Sequence, residues 1–207
     1  MFAHTAAVFF SVDCVVVRGD NLSRLVEERL GLSGPMSVHE AGADAAPARW
    51  AGVTERALHT QLAELPVLPG VEETTLWCWN NGLVPVISSL TWAPIGAYLA
   101  NRFGFHSYFG RPLDAVHGRF TGTAGDAPAP TGEREFALRR ADELGAAPQK
   151  CAAVGACPAD DPLFDSVGVS IAFNARSGTN ARMVTPVQGD DLRAVIPTLE
   201  SLSATMV

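Results

Sequence analysis

Residues 6–17 read AAVFFSVDCVVV, and this stretch indicates the class of fold. Its first half is a short, uninterrupted apolar run, which is typical of a buried strand. The run leads directly into the polar side chains of Ser11 and Asp13. In open α/β sheets, ligands bind at the carboxyl ends of the strands. A carboxyl group at the end of this strand is therefore a candidate functional group.

Apolar runs and helical patterns alternate along the rest of the chain, which predicts a mostly parallel sheet covered by helices on both faces. We expect residues 1–16 and 69–207 to form this α/β core, and residues 17–68 to form a small helical cap inserted after the first strand. Residues 108–121, with Gly110 and Gly118, predict a hairpin. Further strands are predicted at residues 84–87, 151–154 and 169–173, and helices at 22–30, 53–65, 71–81, 94–103, 133–144 and 191–202.

The composition and net charge limit which binding partners and which cellular compartment we expect. The net charge of −7 disfavours a nucleic-acid partner, because a phosphate backbone attracts a basic surface. No apolar stretch reaches the roughly 18–20 residues of a membrane span, and the first residues do not resemble a signal peptide. The four cysteines have no disulfide or zinc spacing, so we expect reduced thiols in a cytoplasmic protein.

Three segments, in order along the chain, carry a recognisable pattern. Residues 10–15 (FSVDCV) are similar to the block F-D-x-D-S/G-T, residues 86–91 (VISSLT) to V-x-S-G-G-F, and residues 154–164 (VGACPADDPLF) to V-G-D-G-x-N-D-x-P-M-L. These are the signature blocks of the phosphoserine-phosphatase-like members of the haloacid dehalogenase (HAD) superfamily. The resemblance implies a HAD-like Rossmannoid sheet with a shortened cap.

The chain departs from the family at positions that carry its chemistry. Ser11 stands where the family has its aspartyl nucleophile, and Ala156 stands at a metal-binding carboxylate. Counting without gaps puts Glu133 at the position of the family's lysine, although a slip of one residue would put Arg134 there. Magnesium requires about six oxygen ligands. We therefore expect the Mg²⁺ site to be lost and no cofactor to be bound.

Other family positions are retained. The resemblance gives Asp13 the place of the general acid/base, Ser88 that of a phosphate-binding hydroxyl, and Asp160 that of a carboxylate supporting the metal. Ser89 replaces the first glycine of the family's glycine pair. Two of these residues also have a purely structural interpretation: Asp13 as a carboxylate that caps a loop, and Asp160 as a side chain at a helix N-terminus.

These positions together predict one cleft with Asp13 as the acid/base. Its acids, with no lysine or metal to balance them, should raise one another's pKa. The predicted substrate-binding residues are Ser11, Ser88, Ser89, Glu133 and Asp160.

Three functions remain open at this point. The first is a metal-independent acid/base enzyme (lyase, dehydratase, isomerase or cyclase) acting on a small organic molecule. The second is a non-catalytic pseudophosphatase that binds a ligand or a protein. The third is a weak phosphomonoester hydrolase with another nucleophile. The expected partner is a small molecule, with no nucleic acid or membrane, and a homodimer is left open.

Overall fold

The computed structural model describes residues 6–19, 21–32, 47–126, 131–175 and 183–203. Residues 33–46, which belong to the predicted cap, lie outside these ranges. None of the helices in the described ranges has the length and apolar character needed to cross a membrane. All four cysteines are free thiols, as the sequence predicts.

A six-stranded sheet forms the centre of the molecule, and all of its neighbouring strands run parallel. The strands are β1 (Ala6–Phe10), β2 (Leu83–Trp92), β3 (Ser107–Arg111), β4 (Ala115–Val116), β5 (Arg119–Phe120), β6 (Ala152–Gly155), β7 (Val169–Phe173) and β8 (Thr185–Val187). The strand order in the main sheet is β3-β2-β1-β6-β7-β8, and a separate antiparallel pair contains β4 and β5.

Helices cover both faces of the sheet, as the alternating pattern predicts. One face packs against α3, α4 and the C-terminal helix, and the other packs against α5 and α6. The helices are α1 (Leu22–Arg29), α2 (Glu55–Ala63), α3 (Val71–Asn80), α4 (Ala93–Phe103), α5 (Gly132–Glu143), α6 (Asp161–Phe164) and α7 (Ile196–Ser203).

The central strands are apolar because both of their faces are covered. Every residue of β1 is buried, and such strands have continuous rather than alternating hydrophobicity. Phe10, the last residue of β1, pairs with Ile87 on one side and with Val154 on the other. Because parallel strands end at the same edge of a sheet, this register brings the segments after all three strands together.

The described part of the insert after β1 contains two α-helices with side-chain caps. Asn21 accepts a hydrogen bond from the Arg24 backbone at the start of α1, and Thr54 accepts one from the Ala57 backbone at the start of α2. Val17 and Val67 form an antiparallel bridge, so the two ends of the insert lie side by side. The extent of the cap at residues 17–68 stays a prediction.

The predicted hairpin at residues 108–121 is only partly correct. Residues 107–111 form β3, a parallel edge strand of the main sheet, and the antiparallel pair is confined to β4 and β5. Gly110 is required where β3 meets β2, since a Cβ there would lie 2.7 Å from the Thr91 carbonyl oxygen. A half-buried edge strand and a hairpin strand have the same period of two, which explains the error.

Candidate functional site

A pocket of about 160 Å³ opens at the carboxyl ends of β1, β2 and β6, where the fold brings together the segments that follow these strands. Its wall combines polar side chains from the core with the start of α1 from the insert. The lining residues are Ser11, Asp13, Asn21, Ser23, Ser89, Leu90, Thr91, Arg111, Glu133, Cys157, Ala159 and Asp160.

Asp160 is a buried carboxylate that holds the loop after β6. It is 2% exposed, and its Oδ2 accepts hydrogen bonds from the backbone N–H groups of Ala156 at 2.8 Å and Cys157 at 2.9 Å. Burial raises its pKa, while hydrogen bonds from these backbone groups and from the side chains of Cys157 and Ser11 act in the opposite direction. Asp160 therefore has a structural role in this loop, although it makes no side-chain capping bond to α6, and it lines the pocket as well.

Glu133 lies in the first turn of α5 and is 5% exposed. Its pKa is raised well above the ordinary value, first because burial desolvates the carboxylate and then because of the negative charge of Asp160. Asp13 adds to the increase, and a hydrogen bond with the Leu90 backbone opposes it. A carboxyl group in these surroundings is held in its protonated form over an unusually wide pH range.

Arg134 has a different environment from Glu133. It is exposed, and its Nε donates a hydrogen bond to Ser166 Oγ at 2.8 Å. Of the two alternatives for the family's lysine position, Glu133 is the residue whose side chain lines the pocket.

Asp13 both lines the pocket and contacts the insert. It is partly buried and lines the pocket. Its Oδ1 also accepts a hydrogen bond of 2.7 Å from the Leu22 backbone N–H, at the first residue of α1. The carboxylate therefore also has a structural role, because this hydrogen bond connects the core to the start of α1 in the insert.

The two serines of the second sequence block are placed differently. Ser89 lines the pocket. Ser88 is 0% exposed, its Oγ has no hydrogen-bond partner, and it is not among the lining residues. Successive residues of a strand point to opposite faces, so the predicted contact of Ser88 with a ligand is not supported by its position.

Arg111 is a pocket residue that sequence reasoning missed. Its Nε donates to the Leu90 carbonyl at 2.8 Å, and its guanidinium carbon lies 4.3 Å from the centre of the Trp92 ring. The sequence analysis considered only lysine as a partner for these acids, so Arg111 is a basic group that it did not include. Arg111 is the last residue of β3, and the parallel pairing of β3 with β2 would have placed it at this edge of the sheet.

Cys157, which lines the pocket, does not have the character of a reactive thiolate. Burial and the charge of Asp160 raise the pKa of Cys157 to about 12. Cys14 Sγ donates a hydrogen bond to the Gly19 carbonyl oxygen at 3.2 Å. A thiolate nucleophile needs a lowered pKa or an adjacent base, so Cys157 is a protonated thiol in the pocket wall.

The donor groups of the pocket do not fit Mg²⁺. Ser11 and Ala156 offer no carboxylate, and one oxygen each of Asp160 and Asp13 already accepts backbone hydrogen bonds. Within the described residues, no three His, Cys, Asp or Glu side chains are grouped so that they could hold a metal ion. Magnesium requires a nearly octahedral shell of oxygen atoms, which this arrangement does not supply.

The chain is similar to known proteins at the level of three-dimensional structure. Neither a family model nor a curated protein matches the sequence. A phosphoserine phosphatase in its apo form is similar over 93% of this chain and 98% of its own, at 17% identity and a TM-score of 0.76. A probable phosphoserine phosphatase from Vibrio cholerae covers all of this chain and 68% of its own, at 18% identity and a TM-score of 0.77.

A HAD family hydrolase from Salmonella enterica serovar Typhi is similar over 83% of this chain and 63% of its own, at 15% identity and a TM-score of 0.70. Identities this low establish architecture and not activity, because unrelated functions share the same folds. The chain therefore has the fold of the phosphoserine phosphatases of the HAD superfamily, as its sequence blocks predict.

Proposed function

We propose that the protein is a metal-independent acid–base enzyme acting on a small organic molecule in this pocket. The observation that carries the proposal is Glu133, a carboxyl group that is 5% exposed beside Asp160 and has a pKa well above its ordinary value. Such a group keeps its proton where an exposed glutamate has lost it, so it can donate that proton to a substrate.

Asp13 supplies the complementary function. It lines the same pocket but is more exposed than Glu133, and a solvated carboxylate is a suitable proton acceptor. In a dehydration, Asp13 would take a proton from a substrate carbon while Glu133 protonates the departing hydroxyl, which leaves as water. Proton exchange with solvent then returns both carboxyl groups to their starting states. Isomerisation and cyclisation require the same two proton transfers.

The identities of Ser11 and Ala156 support this choice over phosphoryl transfer. Position 11 offers a hydroxyl and not the carboxylate that would attack phosphorus, and position 156 offers no metal-binding oxygen from its side chain. Because the donor set does not fit Mg²⁺, the usual means of neutralising a phosphate is missing from the pocket.

A non-catalytic, ligand-binding protein is the second candidate. One specific observation favours it: Asp13 and Asp160 each accept backbone hydrogen bonds that hold neighbouring segments. Docking of a protein on α3 has less support. Trp77 packs against the core and Trp79 donates its indole N–H to the Gly104 carbonyl oxygen, while Leu76 is exposed at 58%.

Metabolite depletion provides the test. The protein is incubated with a mixture of small metabolites in the presence of EDTA, and mass spectrometry records which compounds disappear and which appear. The comparison uses Asp13→Asn, Glu133→Gln and, as a control on the same helix, Glu135→Gln, whose side chain is exposed. Turnover that survives EDTA and the control but is lost in both pocket variants supports the proposal. Turnover that requires Mg²⁺, or that persists in Glu133→Gln, contradicts it.

A further inference from the structure

A buried cluster of four side chains joins the described part of the insert to the core. Glu27 and Trp50 belong to the insert, Trp92 and Phe120 belong to the core, and each of the four is at most 5% exposed. Trp92 donates its indole N–H to Glu27 Oε1 at 3.1 Å, and Trp50 donates to the same oxygen at 3.1 Å. Because Trp92 lies on β2 and Glu27 on α1, the hydrogen bond between them crosses from the core to the insert.

The ring of Trp50 packs edge to face on both core members of this cluster. Its centroid lies 6.0 Å from that of Trp92 and 5.5 Å from that of Phe120. An aromatic side chain buries roughly 150–250 Å². Moving the insert away from the core would therefore expose these rings to water and would remove the acceptor of the Trp92 indole, so the open form has a high free energy.

The insert is also joined to the β4–β5 pair through the backbone. The Gly52 N–H donates to the Phe120 carbonyl oxygen at 2.9 Å, and the Phe120 N–H donates to the Val53 carbonyl oxygen at 2.9 Å. Thr54 and Arg119 form an antiparallel bridge beside these bonds. The antiparallel pairing of the hairpin thus continues into the insert.

The start of α1 connects this anchored insert to the pocket. The Leu22 N–H donates to Asp13 Oδ1 at 2.7 Å, and the hydroxyl groups of Ser23 and Thr91 are hydrogen-bonded at 3.1 Å. Asn21 and Ser23 line the pocket. The helix that carries these two pocket residues is therefore held to the core at its first turn and again through Glu27.

We propose that the insert is a fixed wall of the pocket and not a lid that opens and closes. Glu27, Trp50 and Trp92 hold α1 against the core, so Asn21 and Ser23 occupy their places in the pocket before a ligand arrives. A ligand then enters without a closing step, and the protein loses little conformational entropy on binding. The inference is independent of the proposed function, since a preformed wall suits an enzyme and a ligand-binding protein equally.

Hydrogen exchange of the full-length protein, followed by NMR, tests the inference with the indole N–H of Trp92 as the reporter. This group donates across the boundary, so every separation of the insert from the core opens it to exchange. In a fixed insert it exchanges only when the whole chain unfolds, as the backbone N–H groups of the buried strand β1 do. We expect its protection factor to match that of the most protected β1 amides within ~10-fold, and to fall with urea at the same slope.

A conservative variant verifies the contact that makes Trp92 a reporter. Glu27→Gln retains a carbonyl oxygen that can accept both indole N–H groups, so the protection of Trp92 should still match that of the β1 amides. The indole resonances of Trp50 and Trp92 should both shift, because their common acceptor loses its charge, whereas that of Trp79, which is bonded elsewhere, should not. Glu28→Gln, at the exposed neighbouring position on α1, should leave all of these resonances unchanged.

Two results would overturn the inference. One is a Trp92 indole that exchanges more than ~10-fold faster than the β1 amides, with a smaller urea slope, because the insert would then open without global unfolding. The other is a Glu27→Gln variant in which the Trp50 and Trp92 indole resonances do not both shift. The comparison of Trp92 with β1 in the unmodified protein decides the question even if the variant fails to fold. Failure of the acid–base proposal is recorded separately, as the absence of turnover in the metabolite assay.

Discussion

Glu133 and Asp160 lie buried in the wall of the same pocket, and the charge of Asp160 raises the pKa of Glu133. The two acids differ in their hydrogen-bond partners. Asp160 receives two backbone N–H groups at its Oδ2, which stabilise a negative charge. Burial is the main cause of the raised pKa of Glu133. Burial also raises the pKa of Asp160, but the two backbone N–H groups favour its charged form, so Glu133 is the group more readily held in its protonated form.

Replacing Glu133 should change how stability depends on pH. A carboxyl group with a higher pKa in the folded protein than in the unfolded chain contributes full stability below its ordinary pKa, and that contribution is lost as the pH rises through the folded value. Glu133→Gln should therefore be more stable than the unmodified protein at neutral and alkaline pH, and this advantage should shrink on acidification. The Tm should rise by about 2–4 °C for each kcal/mol gained.

Thermal unfolding monitored by circular dichroism between acidic and alkaline pH measures this effect. Glu135→Gln, an exposed change on the same helix, should follow the unmodified protein throughout. If Glu133→Gln shows no advantage at alkaline pH, Glu133 is not the buried, proton-retaining group that we describe.

Magnesium should not stabilise the protein. Because the pocket lacks carboxylates at positions 11 and 156, millimolar MgCl₂ should leave the Tm unchanged apart from the small effect of ionic strength. The double variant Ser11→Asp with Ala156→Asp serves as the positive control, since it restores two anionic ligands. A calorimetric titration that finds one tight magnesium site in the unmodified protein would contradict this prediction.

Phosphomonoester hydrolysis should stay at background. With Ser11 at the end of β1, no carboxylate is available there to attack phosphorus. The measurement is release of nitrophenol from p-nitrophenyl phosphate, with and without Mg²⁺, by the unmodified protein and by Ser11→Ala. Robust turnover that Ser11→Ala abolishes would make Ser11 a nucleophile and would defeat the acid–base account.

The buried Glu27 should be important for stability. It accepts both indole N–H groups, from Trp50 and Trp92, and Glu27→Leu would leave two buried donors without an acceptor. Each unsatisfied group costs about 1–3 kcal/mol, so urea denaturation should show a total loss of about 2–6 kcal/mol. Glu28→Ala, at an exposed neighbouring position, should change little. A loss no larger in Glu27→Leu than in this control would contradict the described role of Glu27.

Much of the fold was predictable because the central strands are short and buried on both faces. The runs that became β1, β6 and β7 are apolar at nearly every position, which local sequence reveals directly. That Ser11, Asp13 and Asp160 lie close together could be predicted from the parallel order of these strands. Their hydrogen-bond partners could not be predicted, because those depend on the exact path of the loops.

The site was harder to predict where a single position decides which way a side chain points. A shift of one residue along a strand reverses its face, and this explains why Ser89 rather than Ser88 lines the pocket. On α5, Glu133, Ala137 and Ala141 are buried at a spacing of four, and this stripe in the sequence could have excluded Arg134. Arg111 gave no such signal, because β3 is a half-buried edge strand.

The protonation state of Glu133 is the central claim, and NMR can measure it directly. The protein is labelled with ¹³C at the glutamate carboxyl carbons, and the Glu133 signal is assigned by its disappearance in Glu133→Gln. We predict that this signal keeps the chemical shift of a protonated carboxyl group to a pH well above that at which the exposed glutamates titrate, near their usual pKa of about 4.3. A Glu133 signal that titrates together with the exposed glutamates would contradict the account.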